Sequence, residues 1–265
     1  MTDRTTLGWT FDTVASSYEK IRPGYPAELY ETIFDYIPID DHSQVVEVGS
    51  GGGQATAPIL ATGCSLTAVE CGARFSDLLT EKFREHQNFS VITEKFENTQ
   101  WEDNSRDLVF AATSFHWVPE QIGYKKVFSM LKSGGVFARF ANHPYRDKGN
   151  PVLSEEIDAV YDRYYNPFYN KKRSVQTEYQ EEQARSLAMI AENYGFTDLR
   201  YALFYRQRKF SAEEYLGLLG TYSDHIALEE TIRTKFFSGI KDAINRHGGT
   251  ITIYDTIDLQ LARKP

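Results

Sequence analysis

Cysteine is nearly missing from this chain, with Cys64 and Cys71 the two present in 265 residues. Two thiols cannot form the disulfide framework of a small secreted domain, so a reducing cytoplasm is the expected home. Long apolar runs are missing too. No stretch approaches the roughly 20 residues that cross a bilayer, and Met1-Thr2-Asp3-Arg4-Thr5-Thr6 lacks the apolar core of a secretory signal. Positive charge is in deficit, since 29 Lys and Arg against 37 Asp and Glu give a formal net charge of -8. That balance argues against a nucleic-acid partner, because phosphate neutralisation drives most such binding. The six histidines show no ligand spacing with acids or cysteines, so no metal is expected. No G-x-S-x-G elbow and no phosphate-binding G-x-x-x-x-G-K occurs. What remains is an ordinary globular composition, 41% hydrophobic and 25% charged, long enough for one large α/β domain.

Glycine is where the chain is rich. Val45-Val46-Glu47-Val48-Gly49-Ser50-Gly51-Gly52-Gly53 reads as a β-branched strand that delivers an acid into a loop stripped of side chains. A ligand can lie against such a main chain. A helix over Gln54–Thr62, stopped by Gly63, would aim its free N–H groups and positive dipole end at the same place. The dinucleotide fingerprint G-x-G-x-x-G does not fit, because Gln54 or Thr56 stands where its third glycine belongs. About twenty residues on, Ser65-Leu66-Thr67-Ala68-Val69-Glu70 reads as a second strand ending in a carboxylate suited to ribose hydroxyls. Loop and acid together indicate a nucleotide-like ligand.

Strand-like runs recur at Gln44–Val48, Ser65–Glu70, Phe89–Thr93, Asp107–Ala112 and Val136–Ala141. Phe75, Leu78, Leu79 and Phe83 mark one helix between them, and Ile122, Val127, Met130 and Leu131 outline another. Such alternation predicts a parallel sheet covered on both faces. Lys132-Ser133-Gly134-Gly135 reads as a helix end and tight turn. Ile251, Ile253, Ile257, Leu259 and Leu261 alternate with polar residues, which predicts a long half-buried strand, with Tyr201–Phe210 as its partner. Asn150-Pro151 reads as a helix N-cap and first position, followed by an apolar face of Leu153, Ile157, Val160, Tyr161 and Tyr164. Tyrosines crowd this stretch, and their plainer role is packing. The expected organisation is a single domain over 1–265. Its parts are a helical cap at 1–35, a cofactor-binding core at 36–141, a helical insert at 142–195, and C-terminal strands and helix at 196–265.

Glu47-x-Gly49-x-Gly51-x-Gly53 resembles motif I of class I S-adenosylmethionine methyltransferases. Phe11-x-x-x-Ala15-x-x-Tyr18-x-x-x-Arg22-Pro23-x-Tyr25-Pro26 is similar to the entry segment of the type-11 small-molecule group. Ser114-Phe115-His116-Trp117 looks like the S-x-H-W ending common there, including in relatives of trans-aconitate methyltransferase. The resemblance implies a Rossmann-like seven-stranded, mostly parallel sheet with an antiparallel last strand, helices on both faces and a helical lid insert. It implies S-adenosylmethionine as cofactor, held by Glu47, Gly49, Gly51, Gly53, Glu70, Phe96, Glu97, Ala112, Tyr18 and Arg22. Lys95 stands where the family often has an aspartate beside the adenine. His116 is the candidate general base, with packing as its plainer role. Arg139, Arg146 and Tyr145 are the candidates for holding a small-molecule acceptor, and the trans-aconitate likeness tilts that acceptor toward a carboxylic acid. No N-P-P-Y-type motif for methylating amide or base nitrogens is present. The expected partners are a small molecule, neither nucleic acid nor membrane, and at most a second copy in a homodimer. An NAD-dependent oxidoreductase and a non-catalytic S-adenosylmethionine-binding module remain as alternatives.

Overall fold

The structure is a computed structural model that describes residues 22, 24–146, 148–173 and 176–265. Seven strands form one sheet in the order β3-β2-β1-β4-β5-β7-β6. They are β1 (Gln44–Val48), β2 (Ser65–Glu70), β3 (Phe89–Thr93), β4 (Arg106–Ala112), β5 (Leu131–Tyr145), β6 (Thr197–Ser211) and β7 (Thr250–Arg263). Pairings of β1 with β2 and β4, of β2 with β3, and of β4 with β5 are parallel. Gly134 N–H donates to Lys264 and Lys264 N–H to Gly135, so the start of β5 meets the end of β7 and the two run antiparallel. The chain divides into two compact units.

The core unit comprises Pro23–Asn142, Gln180–Phe204 and Ile257–Pro265. Period-two alternation explains its two layers. Val45, Leu66, Leu108 and Val136 point to one face, where α1 (Ala27–Tyr36), α2 (Thr56–Leu60) and α3 (Ala73–Lys82) pack. Val46, Val69, Val109 and Phe137 point to the other, under α4 (Glu120–Met130) and Phe196. A strand covered on both faces carries apolar side chains at most positions, which is why Val45, Val46, Val48, Leu108, Val109 and Phe110 run almost unbroken in β1 and β4.

Three elements differ from the sequence reading. The helix after the glycine loop spans only Thr56–Leu60, because Gly51 (φ 52°) and Gly53 (φ 73°) spend the preceding residues in turns. Strand β5 begins at Leu131, five residues before the expected start. Leu131 pairs with Arg106 and Val136 with Leu108, so Lys132–Gly135 bulge out of the ladder, with Gly134 at φ 82°. In the C-terminal half of β7 the polar alternates Thr256, Asp258 and Gln260 are buried rather than solvated, with Asp258 at 0% exposure. The Asp258 carboxylate accepts from the Ala141 N–H and from the Gln260 amide, both at 2.8 Å.

The second unit comprises Met1–Arg22, of which Arg22 is described, with His143–Tyr179 and Tyr205–Thr256. Its core gathers α5 (Pro151–Val160), α7 (Ala212–Leu219) and α8 (Glu230–Arg246) through Leu153, Ile157, Leu218, Phe236 and Ile240. In sequence, α6 (Glu181–Met189) of the core unit lies between α5 and β6. Asn150 caps α5 as its sequence predicts, accepting from the Leu153 N–H at 3.0 Å.

Candidate functional site

Strand order reverses between β1 and β4, and in open α/β sheets the ligand crevice lies at the carboxyl ends of the strands beside such a reversal. Gly49 leaves β1 there with φ 71°, and a Cβ on it would stand 2.6 Å from the Ser114 Cβ at the end of β4. Only glycine fits that approach. Gly53 is similarly tight, since a Cβ would meet Phe83 at 2.8 Å and Leu79 at 2.9 Å. The Gly49 N–H donates to Val69 at 2.8 Å, which ties the loop to the end of β2.

Glu70 organises this loop. One carboxylate oxygen accepts from the Gly51 N–H and the other from the Gly72 N–H, each at 2.8 Å. The neighbouring Cys71 also hydrogen-bonds this carboxylate, which further favours its ionised form. Burial pushes the Glu70 carboxyl above the usual range, against the pull of those two amides. Glu47 is more deeply placed, at 0% exposure. Its Oε2 accepts from the Thr56 hydroxyl, while Oε1 is buried with no hydrogen-bond partner among the described residues. Burial raises its carboxyl to about 7, the Thr56 hydrogen bond opposing that rise. Two acids, four glycines and an unsatisfied buried oxygen suit a ligand with hydroxyl and cationic groups, as S-adenosylmethionine has.

Sequence reasoning missed the neighbours of this crevice. Thr113 follows β4 with φ 55°, an uncommon conformation for a β-branched residue. Its hydroxyl lies 2.7 Å from the Tyr25 hydroxyl, and its N–H donates to Phe140. The Ser114 hydroxyl donates to the Val48 carbonyl. The S-x-H-W segment pointed to this place, but nothing in residue type foretold the backbone conformation.

The other expected residues lie as follows. Ala112 is the last residue of β4, half-buried, beside that crevice. Phe96 is 4% exposed and packs with Val69 and Phe115 in the core. The Glu97 carbonyl accepts from Lys126 Nζ at 2.7 Å, with its side chain half-buried. His116 is exposed, its ring tilted against Trp117 with centroids 5.0 Å apart. Arg139 donates to the Tyr124 hydroxyl at 2.8 Å and lies over the Phe115 ring. Tyr18 lies outside the described residues.

Arg22, Tyr145 and Arg146 belong to the second unit. Arg22 donates to the Thr221 hydroxyl at 2.9 Å and covers the Tyr222 ring at 4.4 Å. Arg146 pairs with Asp158 and lies over Tyr161 at 5.2 Å. Tyr145 and Arg146 help line a cavity of about 70 Å³, together with Tyr161, Gln176, Tyr215 and Tyr222. Leu218, Leu219 and Ile253 close it on the apolar side. Behind Tyr161, its hydroxyl lies 3.0 Å from His225 Nε2, and Asp224 accepts from the Tyr165 hydroxyl. Among the described residues no group of three His, Cys, Asp or Glu is placed to hold a metal, and no helix is long and apolar enough to cross a membrane.

Comparison with known proteins places this geometry. Residues 46–138 match the methyltransferase domain family Methyltransf_11, a span that begins in β1 and ends in β5. An uncharacterized methyltransferase of Schizosaccharomyces pombe is 27% identical over 241 residues, 86% of this chain and 89% of its own length. A solved structure described as a type II methyltransferase from Anaeromyxobacter dehalogenans superimposes with a TM-score of 0.58. It is 20% identical and covers 91% of this chain and 97% of its own. Phosphoethanolamine N-methyltransferase 2 of Haemonchus contortus, solved in complex with S-adenosyl-L-methionine, gives a TM-score of 0.54 at 16% identity, over 96% of this chain and 57% of that one. The two solved structures share the fold, and the matched domain and the yeast relative both carry the methyltransferase description, so this chain is an S-adenosylmethionine-dependent methyltransferase.

Proposed function

We propose that this methyltransferase transfers the methyl group of S-adenosylmethionine to a small-molecule acceptor, and that the acceptor is a carboxylic acid. The observation that carries the donor half is Glu70, whose carboxylate ends β2 and is fixed by the Gly51 and Gly72 amides against the glycine loop. In this reading Glu70 takes the ribose hydroxyls, and Gly49, Gly51 and Gly53 let the ligand approach the main chain. Glu47 lies buried beneath the loop, and Phe96, Glu97 and Ala112 border the adenine side. When bound, the cofactor supplies an electrophilic methyl group on a sulfonium. The protein's own task is to position the acceptor and strip it of water.

A carboxylate arrives already ionised, so no general base is required, and His116 would matter only for a hydroxyl acceptor. Arg146 supports this choice, since its planar fork has N–H groups beyond the Asp158 pair and it is the charged side chain among the cavity's lining residues. Arg139 and Tyr145 are the further acceptor candidates. Labelled S-adenosylmethionine incubated with a pool of cell metabolites tests the proposal. A carboxyl acceptor gives a methyl ester, which releases volatile labelled methanol in mild alkali. Labelled product stable to alkali would exclude the carboxylic acid, and no labelled product would exclude a small-molecule acceptor.

A further inference from the structure

The cavity of the second unit has a lining that no comparison assigns. Among the described residues Arg146 is its one charged lining side chain, and Tyr145, Tyr161, Tyr215 and Tyr222 are lining phenols. Burial raises the Tyr161, Tyr215 and Tyr222 phenols above their ordinary range, so they are neutral near pH 7 and each can donate. The Tyr161 hydroxyl is engaged with His225, whereas the structure gives Tyr215 and Tyr222 hydroxyls no such partner among the described residues. A guanidinium and two free phenols are a donor set, and an oxyanion is what they fit.

Gln176 adds the opposite requirement. Its Nε2 donates to the Pro144 carbonyl at 3.0 Å, and a carbonyl can only accept, so the orientation of the amide is fixed. Its Oε1 is therefore the acceptor left over, buried with no hydrogen-bond partner among the described residues. Buried acceptors without a partner are few in folded proteins and call for an explanation. A cavity of about 70 Å³ admits a group of a few heavy atoms.

We infer that this cavity binds a small carboxylic acid bearing a hydroxyl or ammonium group next to its carboxylate. Arg146, Tyr215 and Tyr222 donate to the carboxylate, and Gln176 Oε1 accepts from the neighbouring donor. This rests on the reading above that the acceptor is a carboxylic acid, and it makes Gln176 the residue that selects among such acids.

Calorimetric titration of propionate, lactate and alanine into the full chain tests it. The three acids share a three-carbon skeleton and differ in carrying no donor, a hydroxyl and an ammonium on the carbon next to the carboxylate. The expected result is that lactate or alanine binds about tenfold more tightly than propionate, a ratio typical of one satisfied hydrogen bond. Which of the two leads identifies the donor. Gln176→Leu should bind all three alike, and Tyr222→Phe should weaken all three by a few-fold. Gln176→Met replaces the leucine variant if that one does not fold. No saturable binding of any acid, or a lactate or alanine preference that survives loss of the Gln176 amide, overturns the inference. S-adenosylmethionine affinity, measured on the same samples, reports on the donor separately. Acid selection without cofactor binding would sink the methyl-donor reading and uphold this site.

Discussion

At the residue scale, the crevice depends on Gly49 and Glu47. Gly49→Ala places a Cβ against Ser114 at φ 71°, so both sterics and backbone oppose it. A loss of about 1–3 kcal/mol in urea unfolding is expected, with weaker cofactor binding. Glu47→Gln addresses a different force. Burial raises the folded carboxyl from its ordinary 4.5 to about 7, so between those values the folded chain holds a proton that the unfolded chain has released. Stability is therefore favoured by this group below pH 4.5 and declines as pH rises to 7, on the order of 3 kcal/mol in all. The glutamine variant mimics the protonated acid and should lack that decline. Unfolding free energies of the cofactor-free protein at pH 5 and pH 8 check this, and parallel pH dependences in the two proteins would refute it.

At the element scale, two contacts hold the second unit's parts in place. Asn150→Ala removes the cap of α5 and should cost about 1 kcal/mol, read as a shift in the denaturant midpoint. Asp255 of β7 is 1% exposed and takes both Arg206 and Arg208 of β6. Asp255→Ala leaves two guanidiniums without that carboxylate, and a loss of about 3–5 kcal/mol is expected in the same measurement. The elements differ in how far residue pattern revealed them. Strands β1, β2 and β3 have the bounds their apolar runs indicate, since turn residues flank each run. The start of β5 was hidden, because Lys132-Ser133-Gly134-Gly135 has the composition of a turn whether it ends a helix or bulges within a strand. In β7 the alternation was legible but its meaning was not. Asp258 and Gln260 satisfy one another within the sheet, and pattern alone cannot distinguish a paired buried polar residue from a solvated one.

At the scale of the whole molecule, what could be read early was what lies close together in sequence. Glu47, Gly49, Gly51 and Gly53 are neighbours along the chain, and Glu70 follows at a spacing set by one β-α-β turn. Gln176, Tyr215 and Tyr222 come from separate stretches of the second unit, and a tyrosine that lines a cavity has no sequence mark to separate it from one that packs a helix. The central claim is that the loop after β1 and the Glu70 carboxylate together hold S-adenosylmethionine. Its most direct test is calorimetric titration of S-adenosylmethionine and of NAD into the wild-type chain and the Glu70→Ala variant. Saturable one-to-one binding of S-adenosylmethionine to the wild type, at least about tenfold weaker in the variant because two ribose hydrogen bonds to a charged acceptor are lost, is the predicted result. NAD should give no signal. Wild-type binding that is undiminished in Glu70→Ala, or binding of NAD in place of S-adenosylmethionine, would contradict it.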